Sequence, residues 1–156
     1  MLETRIATIA DAALISSHRR AMFEAMGRGT PETLDTMTRS FEPWLLPRLA
    51  DGRYSGWITS DLSAPIASAG LLILESPPHP LDPAGGTRAY LLNVFVEPAW
   101  RGRGLARQLV KLCLAETRRR KIRIVSLHAS DQGRPLYESL GFRAANEMLF
   151  IDAAIE

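Results

Sequence analysis

From Ala89 to Pro98 the chain reads AYLLNVFVEP, an almost unbroken apolar run that suits a strand covered on both faces. A different rhythm then takes over. Leu105, Leu109, Val110, Leu112 and Cys113 fall on one broad face at helical spacing, which predicts a core-facing helix reaching about Arg120. IRIVSLHAS, Ile122 to Ser130, follows as a second buried strand. Strand, helix and strand together predict a right-handed parallel crossover between Ala89 and Ser130.

Upstream, TRIATI (Thr4 to Ile9) reads as a first strand, and Asp11 as the cap of a helix over Ala12 to Met26 that ends at Gly27. Thr30 as N-cap and Pro31 at the first helical position open a second helix, expected to break near Pro43 and Pro47. Asp51-Gly52 marks a turn into YSGWITS. Ser63-Ala64-Pro65 marks another into IASAGLLILES, giving two antiparallel strands. Ser76 to Thr87, SPPHPLDPAGGT, is loop by composition. Downstream, Gly133 to Leu140 is a short helix closed by Gly141, and FRAANEMLFIDA supplies one or two last strands. The whole is an α/β (α+β) chain, a mixed sheet of six to seven strands flanked by about four helices.

Composition narrows the function classes. A chain of 156 residues, 46% hydrophobic and 23% charged, predicts one soluble domain over 1–156. The net charge of +2 is too small for wholesale nucleic-acid binding. Arg118-Arg119-Arg120-Lys121 ends one helix without interleaved aromatics, so no nucleic-acid partner is expected. Cys113 is the only cysteine, which excludes an internal disulfide and points to a reducing compartment. Glu3, Arg5 and Asp11 interrupt any signal-peptide run, and no segment has the apolar length of a membrane span. A cytoplasmic location, no membrane partner and no metal are therefore expected.

The segment RGRGLARQL, Arg101 to Leu109, changes the picture most. Glycine costs a helix interior roughly 1 kcal/mol relative to alanine, so Gly102 and Gly104 at a helix start imply a close approach to the backbone. A helix N-terminus has four unpartnered N–H groups and a positive dipole end, a combination that binds phosphate. Arg103, Arg107, Lys111 and Arg118 share a sector of roughly 80° on the helical wheel. The ligand class is a multiply charged phosphate compound. GxxxxGK[ST] is absent, and Arg107 occupies the third glycine position of GxGxxG, so neither a P-loop nor a dinucleotide fingerprint fits.

Arg101-Gly102-Arg103-Gly104-Leu105-Ala106 resembles motif A, [R/Q]-x-x-G-x-[G/A], of the GNAT superfamily of acyl-CoA-dependent N-acetyltransferases. Pro135-Leu136-Tyr137-Glu138-Ser139-Leu140-Gly141-Phe142 resembles that family's second signature, at the expected distance. The resemblance is strong over residues 89 to 142 and limited to element order over residues 1 to 75. It implies a mostly antiparallel sheet whose two parallel strands splay apart to form a coenzyme A cleft. It further implies that acetyl-CoA is the cosubstrate, with its diphosphate held by main-chain amides from Gly102 to Arg107. The pantetheine arm would pair with the Phe95 and Val96 backbone like an added strand.

By the same resemblance, an amide freed by the splaying, assigned to Val96, would stabilise the oxyanion of the thioester. Tyr137 would donate a proton to the departing thiolate. Ser130, where an asparagine is common in the family, could bond the pantetheine or cap the following helix. The amine needs a base, and none stands out. Tyr90 lies where some relatives carry a glutamate, and Glu97 suits shaping a turn. His128 is a weak base candidate, weighed against the commoner role of a hydrogen-bonded core histidine.

Acceptor specificity is expected from the first two helices and the Ser76–Thr87 loop. His18, Arg19, Arg20, Met22, Phe23, Glu24 and Trp44 are the visible candidates. The implied activity is acetyl transfer to a primary amine on a small molecule, an amino acid or a peptide terminus. The competing reading is a non-catalytic acyl-CoA-binding sensor of the same fold. Assembly is legible only as the general prevalence of twofold homodimers.

Overall fold

The computed structural model describes residues 1–155. Leu2–Ile6 (β1), Tyr54–Asp61 (β2), Ala64–Glu75 (β3), Thr87–Val96 (β4) and Val125–Ser126 (β5) form one sheet in chain order. The first three pairings are antiparallel and β4 with β5 is parallel. The helices are Ala12–Ala25 (α1), Pro31–Asp51 (α2), Leu105–Arg119 (α3) and Arg134–Ser139 (α4), with short 3-10 turns at Ile9–Asp11 and Pro98–Trp100.

Period-two alternation along the central strands sorts the helices onto two faces. Leu71, Ala89 and Leu91 point to one side and pack with Leu105, Leu109, Val110 and Cys113 of α3. Their neighbours Leu72, Tyr90 and Leu92 point to the other, against Ala12 and Ile15 of α1 and Phe41 and Leu45 of α2. The near-continuous apolar run of β4 is thus the signature of a strand with a helix on each side. The buried face of α3 differs from the one the helical wheel implied: Leu112 is 37% exposed, and Thr117, one turn after Cys113, is buried.

Several sequence expectations need correction. Among the described residues the sheet has five strands rather than six or seven, and its first strand lies at Leu2–Ile6, earlier than Thr4 to Ile9. Beyond the register pair Tyr90↔Ser126 the neighbours β4 and β5 part, so IRIVSLHAS keeps only two regularly paired residues. With so short an outer ladder, the segment after Phe142 forms no regular strand, and Met148 to Ile151 stay 74–93% exposed. The second helix does not break: α2 runs unbroken through Pro43 and Pro47. Both prolines are exposed and four residues apart, so the carbonyls that lose a donor face water.

β4 also carries a bulge. Gly70 pairs with Leu92 and Ser68 with Phe95, so three steps on β4 oppose two on β3. The extra residue is accommodated at Asn93, whose φ of 57° is left-handed.

The start of the fold is pinned by an ion pair. Arg5 meets both carboxylate oxygens of Asp11 at 2.8 and 2.7 Å, and the Thr8 amide donates to Asp11 at 2.8 Å. These bonds hold the Asp11 carboxyl down at about 2 from its ordinary 3.8. A depressed carboxylate stabilises the native state above its unfolded pKa and loses that contribution as pH falls through the folded value. Acid unfolding should therefore show a loss on the order of 1–2 kcal/mol between about pH 4 and 2, allowing for screening at the half-exposed Arg5. Asp11→Asn should flatten that limb of the stability curve. An unchanged slope in Asp11→Asn would mean the pair contributes nothing.

Candidate active site

The parting of β4 from β5 leaves main-chain groups of β4 without a strand partner. The Glu97 amide donates to Ile66 on β3 at 2.8 Å, so by alternation the amides of Val96 and Val94 face away from β3. The Val96 carbonyl, on the same side, accepts from Nε of Arg101 at 3.1 Å. Side chains alternate accordingly: Phe95 is buried while Val94 and Val96 are half-buried. The bulge at Asn93 sets this phase, because one extra residue exchanges which amides meet β3 and which meet the gap.

Two cavities open along this gap. One, of about 310 Å³, is lined by Arg101, Gly102, Gly104, Leu105, Ala106 and Arg107, with Val96 at its wall. Gly102 and Gly104 adopt φ of 75° and 80°, which explains glycine at both positions. A Cβ added at either would meet nothing within 4 Å, so the turn stands open. Gly104 occupies the N-cap of α3 without a side-chain cap, and no acidic residue lies in the first turn. The first amides of a 15-residue helix are therefore free for an anion.

The basic residues frame this opening. Arg103 stacks over Trp100 at 4.6 Å and Arg107 donates to Ser139 Oγ at 2.9 Å. Neither they nor Arg101 pairs with a carboxylate among the described residues. The run at the far end of α3 is different. Arg119 and Arg120 both bond Glu116 at 2.6 Å, which removes them from a free basic patch.

The other cavity, of about 320 Å³, shares Arg101 and continues between α1 and the gap. Tyr137 of α4, Ser130 and the β4 residues Val94 and Phe95 line it. Burial raises the Tyr137 phenol to about 12, so it stays protonated across the neutral range. Its ring packs edge-on against Phe142 with centroids 5.9 Å apart, and its hydroxyl has no protein hydrogen-bond partner among the described residues. Ser130 Oγ accepts from the Gly133 amide at 3.1 Å, in the turn that leads into α4.

His128 is not a core histidine. Its side chain is 54% exposed at the cavity wall, where Nδ1 meets the Tyr90 hydroxyl and Nε2 lies 2.5 Å from Glu147 Oε2. The strand that would have buried it ends at Ser126. Burial and the nearby Glu147 charge raise the Tyr90 phenol above its ordinary range. Tyr90, His128 and Glu147 thus stand in one row, a hydrogen bond joining the first two and a close carboxylate–imidazole contact the last two.

Other expectations shift as well. His18 is 4% exposed and bonded to Ser68 Oγ at 2.8 Å, and burial lowers its pKa from the ordinary imidazole value; it lines neither cavity. Arg20 and Glu24 pair at the surface, Trp44 packs on Phe41, and the Ser76–Thr87 loop reaches neither cavity. Met22 and Phe23 do line the larger one. Asn93 and Glu147 were missed. A single amide side chain inside an apolar strand was the available signal for Asn93, whereas nothing marked Glu147.

Cys113 is fully buried, and burial pushes its thiol to about 12, so it is no nucleophile. Among the described residues no three His, Cys, Asp or Glu side chains are grouped to hold a metal ion, and no helix is long and apolar enough to cross a membrane.

Comparison with known proteins agrees with this geometry. A family model described as an acetyltransferase (GNAT) domain matches residues 84–155. Glucosamine 6-phosphate N-acetyltransferase of Trypanosoma brucei brucei is 32% identical over 88 residues, 56% of this chain and 56% of that protein. The match therefore spans little more than half the length of that curated relative. A predicted acetyltransferase from Clostridium acetobutylicum, solved with acetyl-CoA, superposes with a TM-score of 0.90 at 26% identity, covering 99% of this chain and 97% of that one. A GCN5-related N-acetyltransferase from Ralstonia eutropha JMP134 is 42% identical, with a TM-score of 0.94 over 98% of this chain and 99% of that one. With its glycine turn, its parted parallel strands and this near-full-length likeness, the chain belongs to the GNAT superfamily of acetyltransferases.

Proposed function

We propose that this protein transfers the acetyl group of acetyl-CoA to a primary amine by direct attack within a ternary complex. The observation that carries the reading is the open, uncapped start of α3 beside the gap between β4 and β5. Main-chain amides from Gly102 to Arg107 hold the diphosphate, and Arg101, Arg103 and Arg107 add positive charge around it. The pantetheine arm lies in the gap along Phe95 and Val96. The cleft-facing amides of Val94 and Val96 supply the oxyanion donor, adding Val94 to the residue named from sequence alone. Tyr137, protonated and without a competing partner among the described residues, donates to the thiolate as the carbon–sulfur bond breaks. The inert Cys113 supports direct transfer over an acyl-enzyme.

The attacking ammonium must first lose a proton. Tyr90, His128 and Glu147 are suited to accept it: the amine proton passes to the Tyr90 oxygen while the Tyr90 proton passes to His128 Nδ1. Glu147 orients the ring and stabilises the imidazolium. His128→Ala should lower kcat/KM for the amine on the order of 10²-fold at neutral pH, and Glu147→Gln about tenfold. Both deficits should shrink as rising pH deprotonates the amine in bulk. Deficits that are constant with pH would remove the relay.

The acceptor panel should span amino acids, peptide termini and amino sugars. It should include glucosamine 6-phosphate, for which the Trypanosoma relative is named. Free thiol released from acetyl-CoA on addition of an amine supports the enzyme reading. Tight acetyl-CoA binding without release for any amine supports the sensor instead. A single domain over 1–156, a cytoplasmic setting and a homodimer complete the reading, the last to be checked by light scattering.

A further inference from the structure

The adjacent arginines of α1 have opposite fates. Arg20 lies at the surface between Glu24 and Asp35, at 3.0 and 2.6 Å. Arg19 turns inward, its guanidinium between the rings of Phe23 and Phe41, 4.9 Å from each centroid. Nη1 donates to Asn93 Oδ1 at 2.7 Å, while Nε is buried and has no partner. Burial disfavours its charge, and no carboxylate among the described residues offsets that. A half-buried cation without a counter-charge carries a desolvation cost unless something else neutralises it.

The cavity that Arg19 lines is biased in the same sense. Arg28 and Arg101 also border it, and no Asp or Glu among the described residues does. Arg101 belongs to the diphosphate end, bonded to the Val96 carbonyl. Arg19 instead approaches β4 from the α1 face, at the bulge residue Asn93 and beside Tyr90, where the proposed proton relay opens. The coenzyme's phosphates are provided for on the α3 side of the sheet, which leaves Arg19 for the second substrate.

We infer that Arg19 receives an anionic group, carboxylate or phosphate, carried by the same molecule as the attacking amine. The inference rests on the acetyltransferase reading and names its substrate class. The guanidinium fork suits either anion through paired N–H donors. The Phe23 and Phe41 rings and Asn93 fix its plane before the ligand arrives.

Matched pairs test this: an amino acid against its carboxamide, and a phosphorylated amino sugar against its unphosphorylated parent. In the wild type, kcat/KM should favour the anionic member of at least one pair by about tenfold or more. Which pair responds distinguishes carboxylate from phosphate. Arg19→Met should bring that ratio close to one, and Arg19→Lys should restore part of it, with the KM for acetyl-CoA unchanged in both. A purely structural arginine would lower both members alike and leave the ratio intact, which overturns the inference. Binding of the same pairs to the protein saturated with CoA separates this from the enzyme reading. A tenfold preference that Arg19→Met abolishes supports the anion site even if no amine is acetylated, whereas equal binding within both pairs overturns it even if one is.

Discussion

Gly104→Glu should weaken coenzyme A binding by at least about 100-fold. Two independent effects act at this position. The substitution places a carboxylate at the mouth of the uncapped α3 N-terminus, where it would repel the diphosphate proposed to bind the free amides and the dipole's positive end. It also forces an L-residue to φ of 80°, which costs about 1 kcal/mol in the left-handed region. Gly104→Ala separates the two, because a methyl group there meets nothing within 4 Å. Alanine should lower the melting temperature slightly and change CoA affinity only a few-fold. Calorimetric titration of both variants with CoA reads the difference. Equal affinity in wild type and Gly104→Glu would mean that the diphosphate is held elsewhere.

Tyr137→Phe should lower kcat about 100-fold with the KM for acetyl-CoA within about twofold of wild type. The phenol is held protonated by burial, and no protein group among the described residues competes for its proton. It is therefore placed to act when negative charge appears on sulfur, which happens only as the thioester breaks. The ring contact with Phe142 survives in phenylalanine, so the fold should be indifferent to the change. Single-turnover measurements at several pH values isolate the chemical step. An unaltered rate across that range would assign the protonation to water and leave Tyr137 a packing role.

The part of the site that depends on local chemistry was legible before any coordinates. Gly102 and Gly104 in front of an amphipathic helix announce an exposed backbone turn, and both take the left-handed geometry that glycine permits. Tyr137 follows on α4, just beyond the crossover unit, within a recognisable second signature. What could not be read depends on where chain segments end and meet. Pro43 and Pro47 look like breaks until their exposure on one helix face is known. The parting of β4 and β5 leaves His128 outside the core, a consequence of register rather than of residue type. Glu147 reaches His128 from 19 positions further along, with no motif to mark it. Arg19 and Arg20 are equivalent as letters, and only the packing of Phe23 and Phe41 sends one inward.

A crystal structure with CoA bound is the decisive measurement. Diphosphate oxygens should lie within roughly 2.7–3.2 Å of amides between Gly102 and Arg107, with the thiol arm running between β4 and β5 toward Tyr137. A nucleotide seated away from the start of α3, or strands β4 and β5 closed along their full length, would contradict that arrangement.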